Sequence, residues 1–278
     1  IADSSCDMKF DDLEFSDIRL AKVPFVFTID GKDYVDDENL DVDNMIDVME
    51  AAPEVGRSAC PSPITWYEQF EQADYSFAIT ISSNLSGSHN SAVAAKEMLE
   101  EAYPDKKVFI LDSLSTGPVL AMYVLKLIEL IESGLEYDAV VEQIKEYASK
   151  RHTIFALNSF TNLIKNGRMS RLSGFIAGVF GIWGVGVASE VGTIEVKTKT
   201  RGIKKIINVF IEEMKEHGFK AGSVIISHCH NFEFATVLKD KIVEIWENAK
   251  VQIMPTIGLC SFYAERGGLM VGFEDGLN

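Results

Sequence analysis

The densest group of polar side chains in the sequence lies at residues 82–88, which read SSNLSGS. An apolar strand-like run precedes it and a helix-like run follows it, so these serines are predicted between a strand end and a helix start. Ligands of parallel α/β folds bind at that end of the sheet, and free N–H groups at a helix amino terminus attract an anion. Hydroxyl groups there suit a carboxylate, which makes Ser83 and Ser86 candidate binding residues. The alternative is that Ser86 or Ser88 only caps the helix.

Three further predicted strand ends carry similar side chains. They are Asp3-Ser4-Ser5, the stretch RSACPSP at 57–63 and Leu111-Asp112-Ser113. If the four strand ends meet at one edge of a sheet, they form a shared site for a polar head group.

Common catalytic and metal-binding motifs are missing from the sequence. It contains no GxxxxGK[ST], GxSxG or HExxH motif and no EF-hand loop. His228-Cys229-His230 ends a predicted strand, where neighbouring side chains point to opposite faces and do not easily share one metal ion. Ordinary hydrogen bonding by strand-end histidines is therefore the favoured interpretation, and no metal or cofactor is expected.

Composition and charge set limits on the class of protein. The 278 residues have a formal net charge of −16, which argues against general nucleic-acid binding. The charge is uneven, because residues 149–206 contain ten Lys or Arg and two Glu. That basic stretch is either a solvated face or a surface for an anionic ligand or acidic partner. The four cysteines form no CxxC pair, and the longest apolar run, 175–189, is too short to cross a membrane, so a cytoplasmic location is expected.

Strand-like and helix-like runs alternate along the chain. The predicted strands are 23–29, 76–82, 107–113, 153–158, 193–200, 222–229 and two closing strands within 251–258 and 268–275. The predicted helices are 41–52, 63–73, 88–103, 117–134, 137–151, 201–218 and 232–249. The alternation predicts an α/β fold with a mostly parallel sheet covered by helices, followed by a second α/β domain. We place the domains at 1–152 and 153–278.

Several segments, in order along the whole chain, resemble the DegV family of bacterial fatty-acid-binding proteins. They are IADSSCDM at 1–8, SACPSP at 58–63, ISSNLSGSHNSA at 81–92, LDSLSTG at 111–117, LIKNGRMSR at 163–171 and TRGIKKI at 200–206. The resemblance implies a two-domain α/β protein that holds one long-chain fatty acid in an apolar tunnel, to which the glycine-rich apolar segment 173–188 would contribute. It also implies that a separate fatty acid kinase subunit phosphorylates the carboxylate at the domain junction, and it leaves room for transient membrane contact.

The resemblance assigns roles to individual residues. Ser58 and Ser86 match hydroxyl residues that bind the carboxylate, and Arg168 matches an arginine near the head group. Arg201 matches an arginine linked to kinase contact. Tyr263 stands where the family usually has a histidine, and is expected to contact the carboxylate in its place. GIWGVG at 181–186 replaces an IKP element of many members.

Two other functions stay open at this point. The first is a serine-dependent acyl hydrolase that uses Ser86 with His89, although no nucleophile motif supports it. The second is a triose or sugar kinase-like subunit, because dihydroxyacetone kinases share the fold. Those enzymes attach substrate through a histidine, whereas this chain offers Tyr263.

Overall fold

The computed structural model describes residues 1–10, 13, 15–169 and 181–275. Its strands are β1 Ala2–Asp3, β2 Lys22–Val23, β3 Val26–Ile29, β4 Lys32–Val35, β5 Arg57–Ala59, β6 Tyr75–Thr80, β7 Lys107–Asp112, β8 Arg151–Leu157, β9 Trp183–Ala188, β10 Ile194–Thr200, β11 Gly222–His228, β12 Ala249–Pro255 and β13 Leu269–Glu274. Its helices are α1 Val42–Ala51, α2 Pro63–Phe70, α3 Ser88–Ala102, α4 Pro118–Glu132, α5 Tyr137–Ala148, α6 Thr161–Lys165, α7 Ile203–Glu216, α8 Phe232–Ile245 and α9 Gly258–Ala264. Residues 173–180 of the predicted tunnel segment lie outside the described residues.

The first sheet has the order β2-β1-β6-β7, and all of its strand pairs are parallel. Helices α4 and α5 contribute to the apolar core on one face of this sheet, and α2 and α3 to the core on the other. Helix α4 is buried along most of its length, because apolar residues occupy nearly every position between Pro118 and Leu130. The predicted parallel α/β arrangement is confirmed.

Strands β4, β3 and β5 form a small antiparallel sheet within the first half of the chain. The β3–β4 hairpin turns at Asp30-Gly31, where both residues have positive φ. No strand is predicted from the sequence at residues 57–59, but Arg57–Ala59 pairs with β3 and places Ser58 opposite Phe27. The first three residues of the stretch RSACPSP are therefore a strand.

The second sheet has the order β10-β9-β8-β13-β11-β12 and is mainly antiparallel, with β11 and β12 as its parallel pair. Side chains of a strand alternate between its two faces. On β8, Ile154 and Ala156 belong to the core beneath α7 and α8, whereas Phe155 and Leu157 belong to a separate cluster on the other side. That other side faces the loops of the parallel sheet and α9.

Helix α9 is the main element that the sequence analysis did not predict. It lies between the two closing strands, which were correctly expected, and carries seven residues from Gly258 to Ala264. Its length is close to the lower limit at which helical periodicity can be read, and its side chains are almost all buried. Among the described residues, no helix is long and apolar enough to cross a membrane.

Candidate ligand-binding site

An apolar cavity of about 90 Å³ lies between the loops that follow the parallel strands and one face of the second sheet. Both halves of the chain contribute to the wall, including Ile81 and Leu85 from the first half and Phe155, Leu157 and Met270 from the second. An elongated apolar ligand is the kind of molecule that such a wall favours.

Four of the predicted site residues line this one cavity: Ser58, Ser86, Arg168 and Tyr263. The hydroxyls of Ser58 and Tyr263 lie 2.7 Å apart. Burial raises the pKa of the Tyr263 phenol, and the Ser58 hydroxyl and the Arg168 charge oppose this only in part. Tyr263 is therefore a neutral hydrogen-bond donor at physiological pH.

Arg168 is fixed by backbone carbonyl groups. Its guanidinium donates to the oxygens of Asn166 at 2.6 Å and Leu85 at 3.3 Å, and it lies 5.7 Å from the centre of the Tyr263 ring. A guanidinium has five N–H donors, so these contacts leave others for an anionic ligand. Arg168 is thus a held positive charge on the cavity wall.

The position of Ser86 is compatible with both of its predicted roles, helix capping and carboxylate binding. Its Oγ accepts the N–H of Ser88, the first residue of α3, at 3.3 Å. This contact uses a lone pair and leaves the hydroxyl proton of Ser86 for a ligand, because a serine hydroxyl both donates and accepts. Ser86 can therefore support the helix start and contact a ligand in the same structure.

Two predicted residues lie elsewhere. Ser83 is outside the cavity wall and its backbone N–H donates to Asp112 at 3.1 Å, so its role in binding the carboxylate stays a prediction. In the same turn after β6, the buried Ser82 hydroxyl donates to the carbonyl oxygen of Gly192 at 2.7 Å. Arg201 is exposed just before α7, away from the cavity wall, and its kinase role stays a prediction.

Buried carboxylates hold α9, and the sequence analysis did not assign them a role. Asp36 accepts the N–H of Leu259 at 2.8 Å, and Asp7 accepts the N–H of Ile257 at 3.1 Å. Burial raises the pKa of Asp36 to about 7 and that of Asp7 to about 6. Asp36 stands in the acidic run DYVDDENLDVD and Asp7 in the polar stretch DSSCDMKFDD, and neither pattern reveals a partner more than 200 residues away.

Asp3 has a similar internal role at the end of β1. Its carboxylate accepts hydrogen bonds from the N–H of Ile81 at 2.9 Å and from the hydroxyl of Ser88 at 2.7 Å. The ends of β1 and β6 therefore meet as predicted, but Asp3 and Ser5 bond to each other and to the fold instead of lining the cavity.

The hydrolase alternative receives no support from the position of His89. Its Nδ1 lies 3.1 Å from the hydroxyl of Thr80. Within the described residues, no hydrogen bond joins His89 to Ser86. A general base must reach the hydroxyl that it activates, and this arrangement does not provide that contact.

The strand-end histidines form separate contacts. The Nδ1 of His228 accepts the N–H of Asn231, and His230 pairs with Asp43 at 3.0 Å. Elsewhere in the described part of the chain, His152, His217 and Asp275 bring three potential metal-ligand atoms within 4.8 Å of one another. The two imidazole rings stack with centres 3.8 Å apart and 25° between their planes, and the Nε2 of His152 contacts the carboxylate of Asp275.

The basic stretch 149–206 is not a single free positive surface. Arg151 forms a buried ion pair with Glu274 at 2.9 Å, Lys150 pairs with Glu146, and Arg168 faces the cavity. Arg201, Lys204 and Lys205 are exposed around the start of α7 and form no ion pair within the described residues. Three exposed cations of the described part of this stretch therefore lie together at the start of α7.

Comparisons with known proteins agree with this architecture. The family model described as "Uncharacterised protein, DegV family" matches residues 1–275. The chain is 41% identical over 274 residues to the DegV domain-containing protein spr0652 of Streptococcus pneumoniae. The aligned region covers 99% of this chain and 98% of that protein.

Solved structures give the same result. One is the crystal structure of the Streptococcus pneumoniae Fatty Acid Kinase (Fak) B3 protein loaded with linoleic acid. Its sequence is 40% identical to this chain, the TM-score is 0.95, and the match covers 99% of this chain and 98% of that chain. A DegV family protein from Eubacterium eligens loaded with heptadecanoic acid is 34% identical, with a TM-score of 0.93, and covers 98% of both chains.

Proposed function

Since the chain belongs to the DegV family, we propose that it binds a long-chain fatty acid in the cavity and presents the carboxylate to a separate kinase subunit. The proposal rests on one observation: hydroxyl groups and a guanidinium lie close together on the wall of one apolar cavity. Two similar proteins, from Streptococcus pneumoniae and Eubacterium eligens, hold linoleic and heptadecanoic acid, respectively.

The energetics favour tight binding without covalent chemistry. Each buried CH₂ group contributes about 0.8 kcal/mol, from which the costs of association and ordering are subtracted. A carboxylate removed from water needs donors, and Ser58, Ser86, Tyr263 and Arg168 are the proposed set. In this proposal the chain acts as a binding subunit without a cofactor, and the phosphoryl transfer belongs to the partner.

The proposed partner is a fatty acid kinase catalytic subunit, and the proposed docking region is the start of α7 with Arg201. Support comes from its exposed positive charge and from the naming of the similar Streptococcus pneumoniae protein as part of a fatty acid kinase. In this scheme residues 1–152 and 153–278 act as two domains that enclose the acyl chain between them. A nucleotide-using partner implies a cytoplasmic site of action, with which the four free cysteines agree.

The test is native mass spectrometry of the purified full chain, followed by organic extraction and lipid analysis. We expect one long-chain fatty acid per chain, and delipidated protein should rebind palmitate. Methyl palmitate is the matched control, because it keeps the acyl chain but removes the charge that the hydroxyls and Arg168 would hold. A protein that purifies empty and ignores added palmitate and oleate would overturn the proposal.

A further inference from the structure

The cavity contains a second polar position, formed by the side chains of Ser115 and Thr153. Both line the cavity and both are only 6% exposed. Ser115 follows β7 and Thr153 lies on β8, and their hydroxyl oxygens are 2.5 Å apart. Two buried hydroxyls therefore interrupt a wall that is otherwise mostly aliphatic and aromatic in this region.

This pair lies away from the proposed carboxylate position. Thr153, Phe155 and Leu157 all line the cavity from the same face of β8. A strand rises about 3.3 Å per residue, so the first and last of these residues are separated by about 13 Å. Phe155 and Leu157 both belong to the apolar cluster against which Tyr263 packs, and the Arg168 guanidinium lies 5.7 Å from the Tyr263 ring. A ligand whose carboxylate lies near Arg168 and Tyr263 would reach the Ser115–Thr153 pair along its acyl chain.

The hydrogen bonds of the pair leave capacity for a ligand. Each hydroxyl has one donor and two acceptor lone pairs, and one O–H is used between the two side chains. The other described partner is the carbonyl oxygen of Thr116, 3.5 Å from Ser115 Oγ, which is a long contact. The remaining lone pairs, and the O–H that is free or weakly held, match a group that can both donate and accept.

A hydroxyl group is the simplest acyl-chain substituent with that property. In an apolar cavity a ligand hydroxyl without a partner is unfavourable, because it loses its hydrogen bonds to water. When an unsubstituted chain binds, Ser115 and Thr153 are not left without a partner, since they already bond to each other. The pair would therefore accept both kinds of chain and favour the hydroxylated one.

We propose that the Ser115–Thr153 pair is a subsite for a hydroxyl on the acyl chain, so that the ligands of this protein include long-chain fatty acids hydroxylated well away from the carboxylate. This inference rests on the proposed function, because it assumes that the cavity holds a fatty acid.

The experiment measures the affinity of the delipidated full chain for stearate and for two hydroxystearates. One carries the hydroxyl next to the carboxylate, and the other carries it near the middle of the chain. We expect the wild-type protein to bind the mid-chain hydroxystearate at least as tightly as stearate, and to bind the other isomer more weakly. In the Ser115→Ala/Thr153→Val double variant, the affinity for the mid-chain isomer relative to that for stearate should fall about tenfold, as expected for a lost hydrogen bond.

Thr116→Val is the matched control, since Thr116 lines the same cavity but its hydroxyl contacts Cys260 instead of the pair. It should leave the ratio of the two affinities unchanged. The three wild-type affinities test the inference even if the double variant does not fold. If wild type binds stearate but disfavours the mid-chain hydroxystearate, the subsite is overturned and the proposed function stands. The same holds if the affinity ratio is equal in wild type and the double variant. If no fatty acid binds, the proposed function has failed and the subsite fails with it.

Discussion

The hydroxyl of Ser58 and the phenol of Tyr263 lie 2.7 Å apart although 205 residues separate them in the chain. The contact joins β5 of the small antiparallel sheet to α9, and the rings of Phe27 and Phe262 stack beside it at 5.1 Å. Apolar packing therefore sets the position of α9, and the hydroxyl pair fixes where two candidate ligand donors meet.

Tyr263→Phe tests the role of this pair in ligand binding. The variant keeps the ring and its packing but removes the phenol, so the fold should be retained. A hydrogen bond to a charged group is worth about 1.5–3 kcal/mol, so we expect palmitate affinity to fall by at least tenfold. The measurement is isothermal titration of delipidated protein.

Ser58→Ala and the double variant complete a thermodynamic cycle with Tyr263→Phe. Coupled donors should give a combined loss of affinity smaller than the sum of the single losses. Strictly additive effects would indicate that the two hydroxyls contact the ligand independently.

Ser86→Ala should weaken fatty acid binding more than it weakens the fold. The contact between Ser86 Oγ and the Ser88 N–H is long at 3.3 Å, and losing a helix cap costs about 1 kcal/mol. Affinity should fall by about tenfold or more, with a small change in the unfolding midpoint of the empty protein. Ligand titration and denaturant unfolding of the same preparation give the two quantities.

Ser88→Ala is the matched control for Ser86→Ala. Ser88 is buried and donates to the buried carboxylate of Asp3 at 2.7 Å, so its loss should lower stability and leave the affinity of the folded protein nearly unchanged. If Ser86→Ala behaves like Ser88→Ala, Ser86 has only a structural role.

Asp36→Asn should change the pH dependence of stability. Burial raises the pKa of Asp36 to about 7 in the folded protein, against about 3.9 in the unfolded chain. The folded state therefore binds the proton more tightly, so the stabilising contribution of protonated Asp36 is present at low pH and is lost as the pH rises through about 7. The asparagine keeps an acceptor for the Leu259 N–H without a titrating charge.

The expected result is that the free energy of unfolding of Asp36→Asn, relative to wild type, rises between about pH 4 and about pH 7 and then levels off. Denaturant unfolding at several pH values measures it. Asp37→Asn, at a half-buried neighbouring site outside this hydrogen bond, is the control and should follow wild type. An unchanged difference across this pH range would contradict the assigned titration of Asp36.

Arg201→Ala should separate kinase coupling from ligand binding. Arg201 is exposed and lies outside the cavity wall, so fatty acid affinity should stay the same while acyl-phosphate formation with a cognate kinase falls. The advantage of wild type over the variant should shrink at high salt, because salt screens an exposed charge. The measurement is a reconstituted kinase assay at several ionic strengths.

Lys250→Ala is the control for Arg201→Ala, since Lys250 is an exposed cation on β12, at the opposite edge of the second sheet from β10. It should leave acyl-phosphate formation unchanged. Equal defects in both variants would mean that total charge, and not the start of α7, governs the coupling.

Local sequence patterns determined most of the elements and part of the site. Continuous apolar runs identified β6 and β7 as buried parallel strands, and helical spacing identified α4, because burial and backbone periodicity are recorded in neighbouring residues. Serines between a strand and a helix placed Ser86 at the cavity for the same local reason. Tertiary structure alone decided which of these serines lines the cavity, since Ser86 belongs to its wall and Ser83 does not. It also decided that α9 brings Tyr263 to Ser58, and that Thr153 meets Ser115, because these contacts depend on how the two sheets pack and not on any spacing in the sequence.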